Sequence, residues 1–173
     1  PATAMKRTWP AWAIGIALLP WPAAAQVATD GSVGSRVSLN GPNFRIPEFI
    51  GLRVGPNLLH SFSTFNVATG QSATFLGPRG IANIVARITG GAPSTIDGRL
   101  AVTAPDASLF LVNPSGLVFG PAATVDVPGS FHAGTAHTLQ LADGTVVDMR
   151  SASPVTLTAA PPAAFGFDSA GAA

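Results

Sequence analysis

The sequence predicts an all-β chain coiled into a solenoid of short strands, and three observations carry that reading. Runs of strand length, rich in β-branched and aromatic residues, recur after Gln26, with Gly or Pro in every gap between them. No window sustains the apolar 3.6-residue period over the ~12 residues that a helix requires. Gly55, Gly77, Gly98 and Gly120 recur at spacings of 22, 21 and 22, the interval expected of coils made from two or three short strands joined by turns.

In chain order, the first element is a targeting signal. Met5-Lys6-Arg7 is basic, Ala11 to Leu19 is apolar throughout, and Ala23-Ala24-Ala25 precedes Gln26. Residues 1–25 therefore read as a short upstream extension (Pro1 to Ala4) plus a secretory signal peptide, addressed to the Sec machinery and cleaved between Ala25 and Gln26. Its apolar core is about half the ~20 residues of a membrane span, and Pro20 and Pro22 interrupt any continuation; a membrane anchor is the alternative. Residues 26–173 then form one domain. Within it, Asn40-Gly41-Pro42-Asn43 is a turn, followed by the apolar Phe44, Ile46, Phe49 and Ile50 around Pro47. Strands are expected at Ala73–Leu76, Ile84–Ile88, Leu100–Thr103, Leu109–Val112, Leu117–Phe119, Thr124–Val127 and Thr145–Met149. Ala159 to Ala173 is Ala/Pro/Gly-rich, shows no capping element, and suggests a longer natural protein.

Composition narrows the function classes. Only 10% of the 173 residues are charged, and 47% are apolar, which supports one globular core with many turns. Without Lys6 and Arg7, seven Arg face eight Asp and Glu, a net charge of −1. That leaves no electrostatic case for nucleic acid or an anionic membrane. Cysteine is absent, so disulfides and thiolate metal sites are excluded, and the chain is compatible with being threaded through a narrow pore.

The densest local signal is Asn113-Pro114-Ser115-Gly116-Leu117 between two apolar runs. Pro114 suits the second position of a tight turn, Gly116 the fourth, and the Asn113 side chain can bond the backbone two residues on. The stretch resembles the NPNGI motif of the two-partner secretion domain, found at the amino terminus of filamentous-haemagglutinin-type exoproteins. Asn57-Leu58-Leu59-His60-Ser61-Phe62, continuing to Phe65-Asn66-Val67, is similar to the family's NLFHSF and FNV segments. Gly77-Pro78-Arg79-Gly80-Ile81-Ala82-Asn83-Ile84 is similar to its GP-x-GI-x-NI segment. Arg87-Ile88-Thr89-Gly90-Gly91 and Ser94-Thr95-Ile96-Asp97-Gly98 follow in the same order, so the resemblance spans roughly Thr29 to Phe131. Ser115, Leu117 and Leu59 depart from the family residues, and a second motif, NPNL, has only Gly55-Pro56-Asn57-Leu58 as an imperfect counterpart.

The resemblance implies a right-handed, single-stranded parallel β-helix with an amino-terminal cap over Gln26 to Pro56. It also implies secretion targeting. A partner outer-membrane barrel with periplasmic POTRA domains would recognise the chain and export it to the surface or medium of a Gram-negative bacterium. No cofactor is implied, and glycan contacts would fall to downstream regions. The candidate recognition residues are Asn113, Pro114, Ser115, Gly116 and Leu117, together with His60, Ser61 and Phe62. Each has a purely structural alternative: a rigid corner for Asn113, a hydrogen-bonded histidine fixing the first coil for His60, and a stacked aromatic core for Phe62 with Phe65 and Phe75. Asn66 and Asn83 are expected in ladders or turn bonds.

Two other functions stay open on the residues. A carbohydrate-binding adhesin needs a row of exposed aromatics or Arg at coil spacing, for which Arg79 and Arg99, 20 apart, are the only hint. A polysaccharide-degrading β-helix needs paired acids, for which Asp126 and Asp148, 22 apart, would have to stack on neighbouring coils. His60, His132, His137 and the remaining carboxylates lack ligand or nucleophile spacing, so no enzyme and no metal site is expected.

Overall fold

Alternating apolar residues in short runs build the architecture. A computed structural model describes residues 26–167; the signal peptide and Ala25 lie outside the described residues. The chain opens with β1 (Val27–Thr29), β2 (Asn43–Ile46), a 3₁₀ turn (Glu48–Ile50) and β3 (Leu52–Val54). Next come β4 (Asn57–Phe65), β5 (Ser72–Phe75), β6 (Asn83–Ile88), β7 (Ser94–Ile96) and β8 (Arg99–Val102). The run continues with β9 (Ser108–Val112), β10 (Leu117–Phe119), β11 (Thr124–Asp126) and β12 (Phe131–Gly134). The last strands are β13 (Thr138–Leu141), β14 (Val146–Asp148) and β15 (Pro162–Gly166).

Three parallel ladders wrap a common interior. One runs β2-β5-β8-β11, a second runs β4-β6-β9-β12, and a third pairs β7 with β10 and is extended by the bridge from Val67 to Ile96. The result is a parallel β-solenoid, as expected. Its inward columns stack like on like: Phe44, Ala73, Leu100 and Val125 in one ladder, Leu58, Ile84, Leu109 and Phe131 in another. Phe62 meets Phe65 at 5.0 Å and Phe75 at 6.3 Å, so the predicted aromatic core is present.

The glycine spacing does not mark the coil. Asn43, Ser72, Arg99 and Thr124 stack in one ladder at intervals of 29, 27 and 25, while Leu109 and Phe131 are 22 apart in another. Gly55 turns the β3–β4 hairpin with φ +57°, Gly77 follows β5, Gly98 precedes β8, and Gly120 follows β10. These are four different places, because glycine reports where the backbone turns and the stacked side chains set the coil length.

The amino-terminal segment is only partly a cap. β1 and β3 pair antiparallel along β4, on the edge that would otherwise be its unpaired side. β2, inside the same segment, is already a coil strand, since Phe44 and Ile46 alternate with Asn43 and Arg45 and stack on Ala73 and Phe75.

The carboxy-terminal part also departs from expectation. Thr145–Met149 does contain a strand, β14, but it lies outside the coils: β13 pairs antiparallel with β14 and with β15. This sheet covers the outward face of the second ladder, where Leu59, Val85, Phe110 and Val112 pack against Leu139, Leu141, Val147 and Met149. The Ala/Pro-rich tail is tied down by Asn57, whose amide donates to the carbonyls of Thr158 (2.8 Å) and Ala160 (2.7 Å) and accepts from Asn83 (2.9 Å). It flanks the coils and leaves Phe119 and Val125 exposed at their far end.

Candidate functional site

The Asn113 turn sits where β9 leaves the second ladder. The Asn113 carbonyl accepts from the Gly116 amide (3.0 Å), and its side-chain oxygen accepts from the Ser115 amide (2.9 Å), as the sequence predicts. Gly116 has φ +125°, a conformation that L side chains rarely adopt. The Asn113 amide nitrogen does something the sequence does not announce. It donates to the Ala92 carbonyl and the Ser94 hydroxyl, both at 3.0 Å, on the preceding coil. Asn113 is fully buried, while Ser115 is exposed and Pro114, Gly116 and Leu117 are half-buried. The turn is therefore a staple between coils that shows only its tip to solvent.

His60, Ser61 and Phe62 lie consecutively on β4 and alternate between its faces. Phe62 faces the interior. His60 does too, fully buried, but neither ring nitrogen finds a partner among the described residues, so the expected hydrogen-bonded histidine is not what forms. Ser61 faces the other way and donates to Asp30 at 2.6 Å.

Ser61 opens onto a buried ionic network. The Arg87 guanidinium, fully buried, donates to the Ser61 hydroxyl (2.7 Å), the Asp148 carbonyl (2.7 Å), the Ser32 hydroxyl (2.8 Å) and the Ser153 carbonyl (2.8 Å). Asp30 accepts from the Ser32 hydroxyl and amide and from the hydroxyls of Ser61 and Thr89. Burial alone would raise the Asp30 pKa, but those hydrogen bonds outweigh it and hold the carboxyl below its usual range. Burial pulls the Arg87 pKa down, and Asp30 and Asp148 partly restore it. The network joins the segment after β1, the first two coils and the flanking sheet. Sequence reasoning missed it; the signal was an arginine inside the apolar run Ile84 to Ile88, at a position that alternation places opposite the interior.

The asparagines fall as expected: Asn57 and Asn83 form a ladder between coils, and the Asn66 side-chain oxygen accepts from the Thr95 amide (2.8 Å). The acid pairing does not form. Asp126 is on β11 beside Ala101, whereas Asp148 is on β14 opposite Thr138. Asp126 pairs with Arg99 across neighbouring coils, and Asp148 caps its own turn through the Arg150 amide at 2.7 Å. The arginine row does not form either: Arg99 stacks between Ser72 and Thr124, and Arg79 lies in the connection before β6. Asp97 accepts from Thr69 and from the Ala122 amide, and these bonds hold its carboxyl below the usual range at a corner joining three coils.

Among the described residues no group of three or more His, Asp or Glu is placed to hold a metal. A groove of about 360 Å³ runs between Phe110, His132 and the β15 residues Pro162 to Phe165, with His132 stacked on Phe110 at 4.5 Å. His132 is the one side chain in its lining with a polar group, so the groove lacks the paired acids of glycan cleavage. No described helix is long and apolar enough to cross a membrane. No curated protein and no solved structure matches the chain. The family model for the TPS secretion domain matches residues 25–172, spanning the cap, every coil, the Asn113 turn and the flanking sheet, and the chain belongs to that family.

Proposed function

We propose that this is the secretion-targeting domain of a filamentous-haemagglutinin-like exoprotein. In this reading the Sec machinery delivers the chain to the periplasm, and cleavage leaves Gln26 at the amino terminus. A partner outer-membrane barrel with POTRA domains then exports it to the surface or medium of a Gram-negative bacterium. The domain acts as an address and performs no catalysis. The family match over nearly the whole described chain supports this most directly.

Burial of the motif residues suggests how the address is read. Asn113, His60, Ser61 and Phe62 are inaccessible once the coils have closed, so a partner that contacts them meets the chain before folding. Extended segments with free backbone groups can then add to a sheet edge of the partner. On the far side of the membrane, closing the coils buries the apolar columns and opposes return.

The test compares Asn113→Ala with Phe75→Ala. Losing Asn113 removes three side-chain hydrogen bonds and leaves Ser94 and the Ala92 carbonyl unpaired, about 2–4 kcal/mol. Truncating the buried Phe75 costs a similar ~3–5 kcal/mol without touching the turn. Secreted yield through the partner barrel should fall far more for Asn113→Ala at matched stability. Equal yields for the two variants would remove the turn from recognition.

A further inference from the structure

His60 is enclosed at the amino-terminal end of the solenoid. The rings of Phe75 and Phe62 lie at 5.6 and 6.1 Å, and Ala86 is its neighbour on β6. The backbone of Gly51, at the end of the 3₁₀ turn, lies so close that a methyl group there would come within 2.8 Å of Nδ1. A neutral imidazole has one donor and one acceptor, and both are left without protein partners here.

No counter-charge on the surrounding elements serves an imidazolium. Glu48 of the 3₁₀ turn and Arg53 of β3 pair with each other at 2.8 Å nearer the surface. Arg87 of β6 projects from the opposite face into the Asp30 network, and Asp30, beyond β1, is taken up by Ser32, Ser61 and Thr89. β5 carries no charged residue, and Arg45 of β2 is on that strand's exposed face.

We propose that His60 is an acid-sensitive latch: the 3₁₀ turn and β3 seat on the first coil only over a neutral imidazole, and protonation opens this end of the solenoid first. The inference stands on the packing and is independent of the export reading.

Burial pushes the imidazole from its usual 6.5 down to about 3. A state that exposes His60 takes up a proton as pH falls below 6.5, and the closed state does not until about 3. The latch is therefore at full strength above 6.5 and weakens progressively as pH falls toward 3. The open population should rise about tenfold by pH 5.5 and about a hundredfold by pH 4.5. Carboxylates titrate mainly near 4, below both the pH 5.5 and the pH 4.5 points.

Hydrogen-exchange mass spectrometry on the full chain, corrected for intrinsic rates, at about pH 7.5, 5.5 and 4.5, tests the latch. Peptides covering Glu48 to His60 should open by those factors ahead of β8 and β9. His60→Phe, which keeps an aromatic ring among Phe62 and Phe75, should flatten the response, and His132→Gln should preserve it. An unchanged acid response in His60→Phe, or exchange that rises evenly over all coils, overturns the latch. Should His60→Phe fail to fold, imidazole NMR of the wild type decides: a His60 resonance that stays neutral in the folded protein down to about pH 4.5 supports the latch, and one that titrates near 6.5 overturns it.

Discussion

Replacing Arg87 by Met would test whether the buried network holds the coils to their flanking sheet. Met keeps most of the aliphatic volume of the arginine stem and removes the guanidinium. Four hydrogen bonds donated by Arg87 go: two to the hydroxyls of Ser32 and Ser61, two to the carbonyls of Asp148 and Ser153. Both carbonyls belong to half-buried residues and can regain water, so their loss is modest. Asp30 keeps its hydroxyl and amide donors, and Arg87 reaches it only through the shared hydroxyls of Ser32 and Ser61, so the stranded hydroxyls and the loss of a more distant opposite charge cost about 1–3 kcal/mol. Against a total of about 5–15 kcal/mol for a domain, the urea midpoint should fall by about a fifth. Removing the guanidinium also raises the Asp30 pKa. Asp30 contributes stability above its unfolded pKa, lost as pH falls through the folded value, so acid unfolding of the variant should begin at higher pH. Asp30→Asn in the Arg87→Met background should recover part of the loss, because the stranded charge is gone. A midpoint shift worth less than about 1 kcal/mol, with no such recovery, would refute the account.

Two further substitutions bracket this one. Gly116→Val places a β-branched residue at φ +125° and should lower the urea midpoint by at least ~1–3 kcal/mol, a backbone strain that Gly116→Ala should largely share. Arg99→Ala removes an ion pair whose side chains are 54% and 63% exposed, and thermal unfolding should change by less than about 1 kcal/mol at ordinary salt.

What was legible in the sequence was what is decided locally. β5, β6, β8, β9, β10 and β11 lie where β-branched and apolar runs predicted them, and the Asn113 turn forms through bonds to residues two and three positions on. The coil length was not legible, because it depends on which apolar residue stacks on which: Phe44 on Ala73, Ala73 on Leu100. Nothing local marks those pairings. Arg87 finds its partners 26 to 66 residues away, and Asn113 reaches back 19 and 21, so both side chains look ordinary until the coils are wound. β15 was missed because Pro162-Ala163-Ala164 has low strand propensity and pairs only because β13 presents an edge to it. His60 was expected as a hydrogen-bonded histidine fixing the first coil; it is buried there with neither ring nitrogen partnered among the described residues, because bonding depends on neighbours the local sequence does not name.

The amide of Asn57 spans 101 and 103 residues of chain to reach Thr158 and Ala160. A stack of coils that touch only their neighbours can unzip from either end, one coil at a time. A clasp from the first coil to the segment leading into the last strand adds a direct contact between the two ends of that linear stack, so opening the first coil also releases the segment before β15. The same clasp sets a schedule for folding. A loop of about a hundred residues must close before the clasp can form, and such non-local contacts come late. Under the proposed export, an amino-terminus-first chain would gain this clasp only after residue 160 had followed it out.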